Sequence, residues 1–204
     1  MNKRLRHSTT PAATRSPAGR IRIIGGQFRR TPIAVIAAAG LRPTPDRVRE
    51  TVFNWLEHLL GDRDGIRALD LFAGTGVLGF EMASRGAHRV VLVESNARTA
   101  QALRALQRRL AAPTVQVLQA DWRLALTRLA PERFDVIFLD PPYGSGILDR
   151  ALGAVRPLLA PGGLIYAEAP RPLEAVCLAE QGWELLRANK AGGVYFHLLQ
   201  ERSC

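Results

Sequence analysis

From residue 66 onward, short runs of β-branched and aliphatic residues alternate with stretches whose apolar positions recur every three or four residues. The first pattern is that of a buried strand and the second that of an amphipathic helix. Strands are predicted at IRALDLF (66–72), RVVLVE (89–94), VQVLQ (115–119), FDVIFLD (134–140) and LIYAEA (164–169). Between them the spacing predicts helices over 76–86, 96–110, 121–130 and on to about Leu159, with a turn at Pro161-Gly162-Gly163. Leu103, Leu106 and Leu110 mark one side of the second helix. A helix over 172–181 and strands near 183–188 and 193–200 close the chain. Strand–helix alternation implies an α/β fold, with a mostly parallel sheet covered on both faces. The last two strands are joined only by NKAGG, which predicts an antiparallel hairpin at the sheet edge.

Upstream the pattern differs. RIRIIGGQFRRTPIAVI (20–36) places two β-rich runs around Gly25-Gly26, a hairpin signal. GLRPTPDRVRETVFNWLEHLL (40–60) reads as a Pro-punctuated loop and a helix, with Asp46 as its expected N-cap. Val48, Val52, Phe53, Leu56, Leu59 and Leu60 would form the buried face of that helix. Residues 1–20 show no hydrophobic period and predict a disordered basic tail. Three regions result: the tail (1–20), an N-terminal hairpin and helix (21–62), and an α/β domain (63–204).

Composition narrows the classes. At 204 residues, 47% apolar and 23% charged, the chain suits one domain with a sizeable core and a small appendage. No apolar run approaches the ~20 residues of a membrane span. Two cysteines, Cys177 and Cys204, are too few for a disulfide framework or a zinc site, and a reduced cytoplasmic protein is expected. The net charge of +10 points to a polyanionic partner. Half of it lies in the tail, which carries Lys3, Arg4, Arg6, Arg15 and Arg20 and no acid. The tail lacks an apolar signal-peptide core; an Arg/Ser-rich transit segment and a loose RNA-contacting arm both fit it.

The candidate chemistry sits where strands end, the ligand-binding edge of such sheets. In DLFAGTGVLG, Gly74, Gly76 and Gly79 satisfy G-x-G-x-x-G, which permits close backbone approach to a ligand. Asp70 ahead of them is unsuited to a pyrophosphate and suited to a ligand bearing an ammonium or sulfonium group. Glu94 can accept hydrogen bonds from ribose hydroxyls, whether of a nicotinamide or of an S-adenosylmethionine cofactor. Asp121 in QADW suits an adenine amino group, with Trp122 covering the ring, and equally suits the N-cap of the following helix. In DPPY, the Asp140 carboxylate and the Pro141 carbonyl can grip both hydrogens of an exocyclic amine. That favours a pyramidal nitrogen with an available lone pair. Pro141 and Pro142 stiffen the turn and Tyr143 can stack on an extruded base.

DLFAGTG, VLVES, QAD and DPPY, in that order, resemble the class I S-adenosylmethionine-dependent amino methyltransferases. RIIGGQFRRTPIAV, GLRPTPDRVRETVFNWL and AGGVYFHLLQER narrow the resemblance to the RsmD family over roughly residues 21–202. The resemblance implies a Rossmann-like methyltransferase with a seven-stranded sheet. It implies methylation of a guanine N2 amine in bacterial 16S rRNA, guanine 966 in the usual rRNA numbering. A 30S subunit or assembly intermediate is the expected substrate, with naked RNA left open, and a monomer is the default expectation. It places Asp70, Phe72, Gly74, Gly76, Glu94, Asp121 and Trp122 around S-adenosylmethionine and Asp140, Pro141, Pro142 and Tyr143 in the catalytic motif. No metal is implied. RNA contacts are expected from Arg22, Arg29, Arg30, Arg42, Thr44, Arg47 and Arg49, with Pro43 in the same block. Residues 20–49 carry seven arginines against the single acid Asp46, which agrees with an RNA face. The alternatives are a DNA adenine or cytosine amino methyltransferase, for which no target-recognition region remains, a nicotinamide oxidoreductase, which needs neither Asp70 nor DPPY, and a non-catalytic RNA-binding module.

Overall fold

The computed structural model describes residues 21–34, 44–61, 64–142 and 146–202. The tail, Arg42, Pro43 and Tyr143 lie outside the described residues. Two short strands, β1 (Ile21–Arg22) and β2 (Pro32–Ile33), pair antiparallel and form the expected hairpin, reduced to two residues a side. Helix α1 (Asp46–Leu60) follows. Pro45 occupies its N-cap, not Asp46, whose carboxylate instead accepts from Arg49 one turn on. Val48, Val52, Phe53, Leu56 and Leu60 are buried, as their spacing requires, and Leu59 is half-buried against the same core.

The rest alternates as expected: β3 (Arg67–Asp70), α2 (Val77–Ser84), β4 (Arg89–Glu94), α3 (Ala97–Arg109), β5 (Val115–Gln119), α4 (Trp122–Leu129), β6 (Phe134–Leu139) and α5 (Ile147–Val155). A single 3₁₀ turn (Arg156–Leu158) leads into β7 (Leu159–Ala169), then α6 (Ala175–Glu180), β8 (Trp183–Ala191) and β9 (Val194–Glu201). The seven-stranded sheet has the order β5-β4-β3-β6-β7-β9-β8. Its first five strands run parallel, and β9 pairs antiparallel with both β7 and β8. The mostly parallel sheet with an antiparallel C-terminal hairpin is therefore present. One local expectation changes. Pro161-Gly162-Gly163 does not interrupt β7 but forms an irregularity within it, where the register against β6 shifts between Phe134 and Val136. Such a bulge absorbs extra residues without ending the strand.

Alternate residues of the strands feed two cores. On one face Ala68, Val90, Leu92, Val136, Phe138 and Tyr166 pack under α1, α2, α3 and the hairpin. On the other, Leu69, Val91, Val93, Ile137, Leu139 and Ile165 pack under α4 and α5. Gly79 shows how close α2 lies to the sheet: a Cβ there would stand 2.1 Å from Leu92 Cδ2.

The N-terminal hairpin is fastened to helix α2 through buried polar groups. Glu81 on α2 is 0% exposed, and its carboxylate accepts from the Ile24 amide at 2.9 Å and the Gly25 amide at 2.7 Å. Ser84 one turn later accepts from the Phe28 amide. Arg49 joins Glu81 at 3.4 Å, and also donates to the Arg22 and Thr44 carbonyls and to Asp46. An RNA contact was expected of Arg49, and the fold overturns that. Its side chain is 0% exposed and committed to holding hairpin, α1 and α2 together. Burial lowers its affinity for a proton, and the neighbouring Asp46 and Glu81 carboxylates oppose that effect.

Candidate active site

The strand order reverses beside β3, because the chain builds outward through β4 and β5 and then returns to lay β6 on its other side. Ligands bind at such a switch point, beyond the carboxyl ends of the strands. A cavity of about 420 Å³ opens there. Its wall carries one acid from each of five neighbouring strand ends: Asp121 after β5, Glu94 on β4, Asp70 on β3, Asp140 after β6 and Glu168 on β7. At ~4.8 Å per strand these span about 19 Å across the sheet.

The left half of this row holds the residues expected around a nucleoside cofactor. Asp70 ends β3, is 2% exposed, and accepts from the Gly79 amide at 3.2 Å. Burial pushes its carboxyl up to about 7, with Glu94 and Glu168 adding to the rise and the Gly79 and Phe72 amides opposing it. Among the described residues no Lys, Arg or His forms an ion pair with it. A buried carboxylate of this kind favours a cationic ligand. Gly74 and Gly76 turn the chain between β3 and α2 with φ of 50° and 74°, the left-handed region that glycine enters freely. Gly74 lines the cavity, and Gly76 caps α2 beneath it. Gly79, the third glycine of the fingerprint, serves the helix–sheet approach described above.

Glu94 ends β4 and is tied at both oxygens, to the Gly74 amide at 3.0 Å and the Asn96 amide at 2.7 Å. Each oxygen keeps further acceptor capacity, so a ribose diol still fits. Asp121 accepts from the Arg123 amide at 2.9 Å and so caps α4, as one of its two readings held; its side chain is 56% exposed at the cavity rim. Trp122 is buried, 6.1 Å from the Phe72 ring, and both line the cavity. An apolar wall beside exposed acceptors suits an adenosine. These groups fit S-adenosylmethionine: acceptors for the ribose and the adenine amine, an aromatic wall for the ring, and Asp70 for the cationic methionine end.

The right half holds the turn after β6 from which an amine grip was expected. Asp140 and Pro141 follow β6, and both line the cavity with Pro142. Burial raises the Asp140 carboxyl well above its ordinary value, and the negative charges of Glu168 and Asp70 add to this. Sequence reasoning passed over Glu168. A glutamate inside the apolar run LIYAEA was the available signal, because a carboxylate seldom enters a buried strand without a task. Glu168 is 4% exposed and accepts from the Thr44 hydroxyl at 2.9 Å and the Tyr166 hydroxyl at 2.7 Å. Thr44, expected at the mouth, is thus a buried part of the cavity wall. Arg22, Arg29, Arg30 and Arg47 are exposed on the hairpin and the first turn of α1. Arg22 pairs with Asp46 at 3.4 Å.

Comparison with known proteins gives the family and the fold. A family model described as Conserved hypothetical protein 95 matches residues 21–200. Ribosomal RNA small subunit methyltransferase D of Escherichia coli K12 is 36% identical over 192 residues, covering 92% of this chain and 93% of its own. The protein of the same name from Haemophilus influenzae is 33% identical, covering 92% and 97%. The solved structure of yhhF from Escherichia coli superposes with a TM-score of 0.73 at 35% identity, over 91% of this chain and 100% of that one. The chain belongs to the RsmD family of Rossmann-like methyltransferases.

Proposed function

We propose that this protein transfers a methyl group from S-adenosylmethionine to the exocyclic N2 amine of a guanine in 16S rRNA. The observation that carries the reading is the row of strand-end acids, which sets the cofactor groups of β3, β4 and β5 beside the amine-gripping turn of β6 in one cavity. Membership in the RsmD family supports rRNA as the substrate, since the curated relatives are named for it. The DNA amino methyltransferase alternative is not favoured by any of these relatives.

S-adenosylmethionine, when bound, supplies an electrophilic methyl group on a sulfonium cation. Every further requirement falls to the chain. Asp70, Phe72, Gly74, Glu94, Asp121 and Trp122 bind and orient. Asp140 and the Pro141 carbonyl accept the two amine hydrogens and direct the nitrogen lone pair at the methyl group. Once nitrogen has gained its fourth bond it is acidic, and Asp140, already hydrogen-bonded to it, can take the proton. Pro142 stiffens the turn, and Tyr143, whose place is not described, is assigned the stacking role by its motif. Arg22, Arg29, Arg30 and Arg47 are assigned to the RNA backbone, with Arg42 from the same block. Among the described residues no helix is long and apolar enough to cross a membrane. A cytoplasmic monomer acting on the 30S subunit or an assembly intermediate completes the reading.

The test is mass mapping of 16S rRNA incubated with the protein and labelled S-adenosylmethionine, as free RNA and as 30S particles. One N2-methylguanosine at a single site is expected. Cofactor binding with no label in either RNA form would overturn it.

A further inference from the structure

The cavity is lined by acids from five strand ends, and Arg123 is the one cation among its described lining residues. Such a wall is unfavourable to the phosphates of an RNA, so the backbone that carries a target nucleotide must be held outside it. Helix α3 has the charge for that hold. From Ser95 to Ala120 the chain contains no Asp or Glu, while α3 alone carries Arg98, Arg104, Arg108 and Arg109. Ala100, Leu103 and Leu106 bury the inward side of the helix. Arg98, Arg108 and Arg109 are exposed, and Arg104 is half-buried.

Two features set these arginines apart from an ordinary solvated face. They have no counter-charge. Elsewhere Arg67 and Arg89 share Glu132, Arg85 takes Glu57 and Glu81, and Arg156 takes Glu201. Among the described residues no carboxylate forms an ion pair with any of the four on α3. They also run against the electrostatics of their own helix. Arg104 and Arg108 stand at the i,i+4 spacing, where like charges destabilise. Arg98 lies in the first turn, where the peptide dipoles disfavour a cation and no acid accompanies it. Arg108 and Arg109 in the last turn suit the dipole, but Arg98 and Arg104 bring the fold no such gain.

The helix joins two parts of the molecule. Its start lies at the cavity, where Asn96 and Thr99 form part of the wall. Its end reaches the hairpin, since Arg109 Nη2 donates to the Pro32 carbonyl of β2 at 2.6 Å. From Arg98 to Arg108 the row is about 15 Å long, room for several phosphates of one strand. We propose that the outer face of α3 is an RNA-backbone track, in which Arg98, Arg104 and Arg108 hold phosphates flanking the target nucleotide and connect the cavity mouth to the arginines of the hairpin. The inference rests on the rRNA reading above and adds to it a surface on the α/β domain, outside the N-terminal extension.

The first test needs no variant. The wild-type protein is treated with phenylglyoxal, which modifies accessible guanidinium groups, alone and bound to 30S particles whose 16S rRNA lacks the methyl group. Mass mapping should show Arg98, Arg104 and Arg108 protected in the complex, while the exposed Arg128 and Arg133 are still modified. The second test compares two variants of equal charge, Arg104→Gln/Arg108→Gln and Arg128→Gln/Arg133→Gln. Gln matches Arg closely in helix propensity, so α3 is retained. The α3 pair should lower the log–log salt slope of 30S binding by about 1.4 to 1.8, the loss of two phosphate contacts, and leave S-adenosylhomocysteine affinity unchanged. The control pair should leave the slope in place. Unhindered modification of the α3 arginines in the complex overturns the track. So does a slope that the α3 pair leaves unchanged, or that the control pair lowers equally, since the effect would then belong to net charge. Failure of the underlying reading looks different, as the wild type would then place no methyl group in the RNA of the particle.

Discussion

Asp140 and Asp70 are both buried carboxyls whose proton affinity is raised, yet the two changes have different consequences. Asp140→Ala removes half of the amine grip and leaves the cofactor groups in place. Turnover should fall by at least about 100-fold while S-adenosylhomocysteine still binds, as calorimetry would report. The wild-type acid limb of kcat/KM should lie above the ordinary Asp value of about 3.9, since the grip requires the ionised form that burial disfavours. Asp70 carries a stability cost as well. In the native protein it holds its proton up to about 7, whereas in the unfolded chain it releases it near the ordinary aspartate value of 3.8. The native state therefore binds the extra proton between those values, and stability falls as pH rises through that window. Asp70→Asn keeps an acceptor for the Gly79 amide and removes the buried charge. Its apo form should melt a few degrees higher than wild type at pH 8 and show no such gain at pH 4. Cofactor affinity should drop. A variant less stable at pH 8 than at pH 4, relative to wild type, would contradict this account.

At the scale of elements, the attachment of the N-terminal hairpin is the feature with most at stake. β1 and β2 contribute two residues each, too little for an independent hairpin. Their order derives from Glu81, which accepts the Ile24 and Gly25 amides and pairs with the buried Arg49. Glu81→Ala leaves two amides without their acceptor and a buried guanidinium with only Asp46 among its carboxylates. A loss of about 3 kcal/mol in denaturant unfolding is expected. Hydrogen exchange should show the Ile24 and Gly25 amides opening before the central strands. Because Thr44 lies on the same extension and reaches Glu168, activity should fall with hairpin order even though Glu81 is not among the cavity-lining residues.

For the whole molecule the relevant quantity is the +10 charge and its placement. Exposed Arg22, Arg29, Arg30 and Arg47 gather on the extension, and the tail adds five basic residues without an acid. If these residues contact phosphates, each contact steepens the salt dependence of RNA binding by about 0.7 to 0.9 in the log–log slope. Arg47→Ala should flatten the slope by about that amount, and removing residues 1–20 by more. An unchanged slope for Arg47→Ala would place that side chain outside the RNA interface.

The alternation of strands and helices was legible in the residue pattern alone, because the periods of 2 and 3.6 are local and survive without knowledge of neighbours. The pattern also determined which residues end the strands, so Asp70, Glu94, Asp121 and Asp140 could be picked out before their arrangement was known. What it left open were properties that depend on partners distant in sequence. Arg49 reads as one more surface arginine in a basic block, and only the apposition of α2 buries it against Glu81, 32 residues away. Asp46 reads as a helix cap until Arg49 and Arg22 claim its carboxylate. Pro161-Gly162-Gly163 reads as a turn until pairing with β6 draws it into β7 as a bulge. Glu168 reads as a strand residue of no special meaning until Thr44 arrives from 124 residues upstream and β6 sets Asp140 beside it. A carboxylate's role is fixed by its dielectric surroundings and its donors, and those are assembled by the tertiary fold.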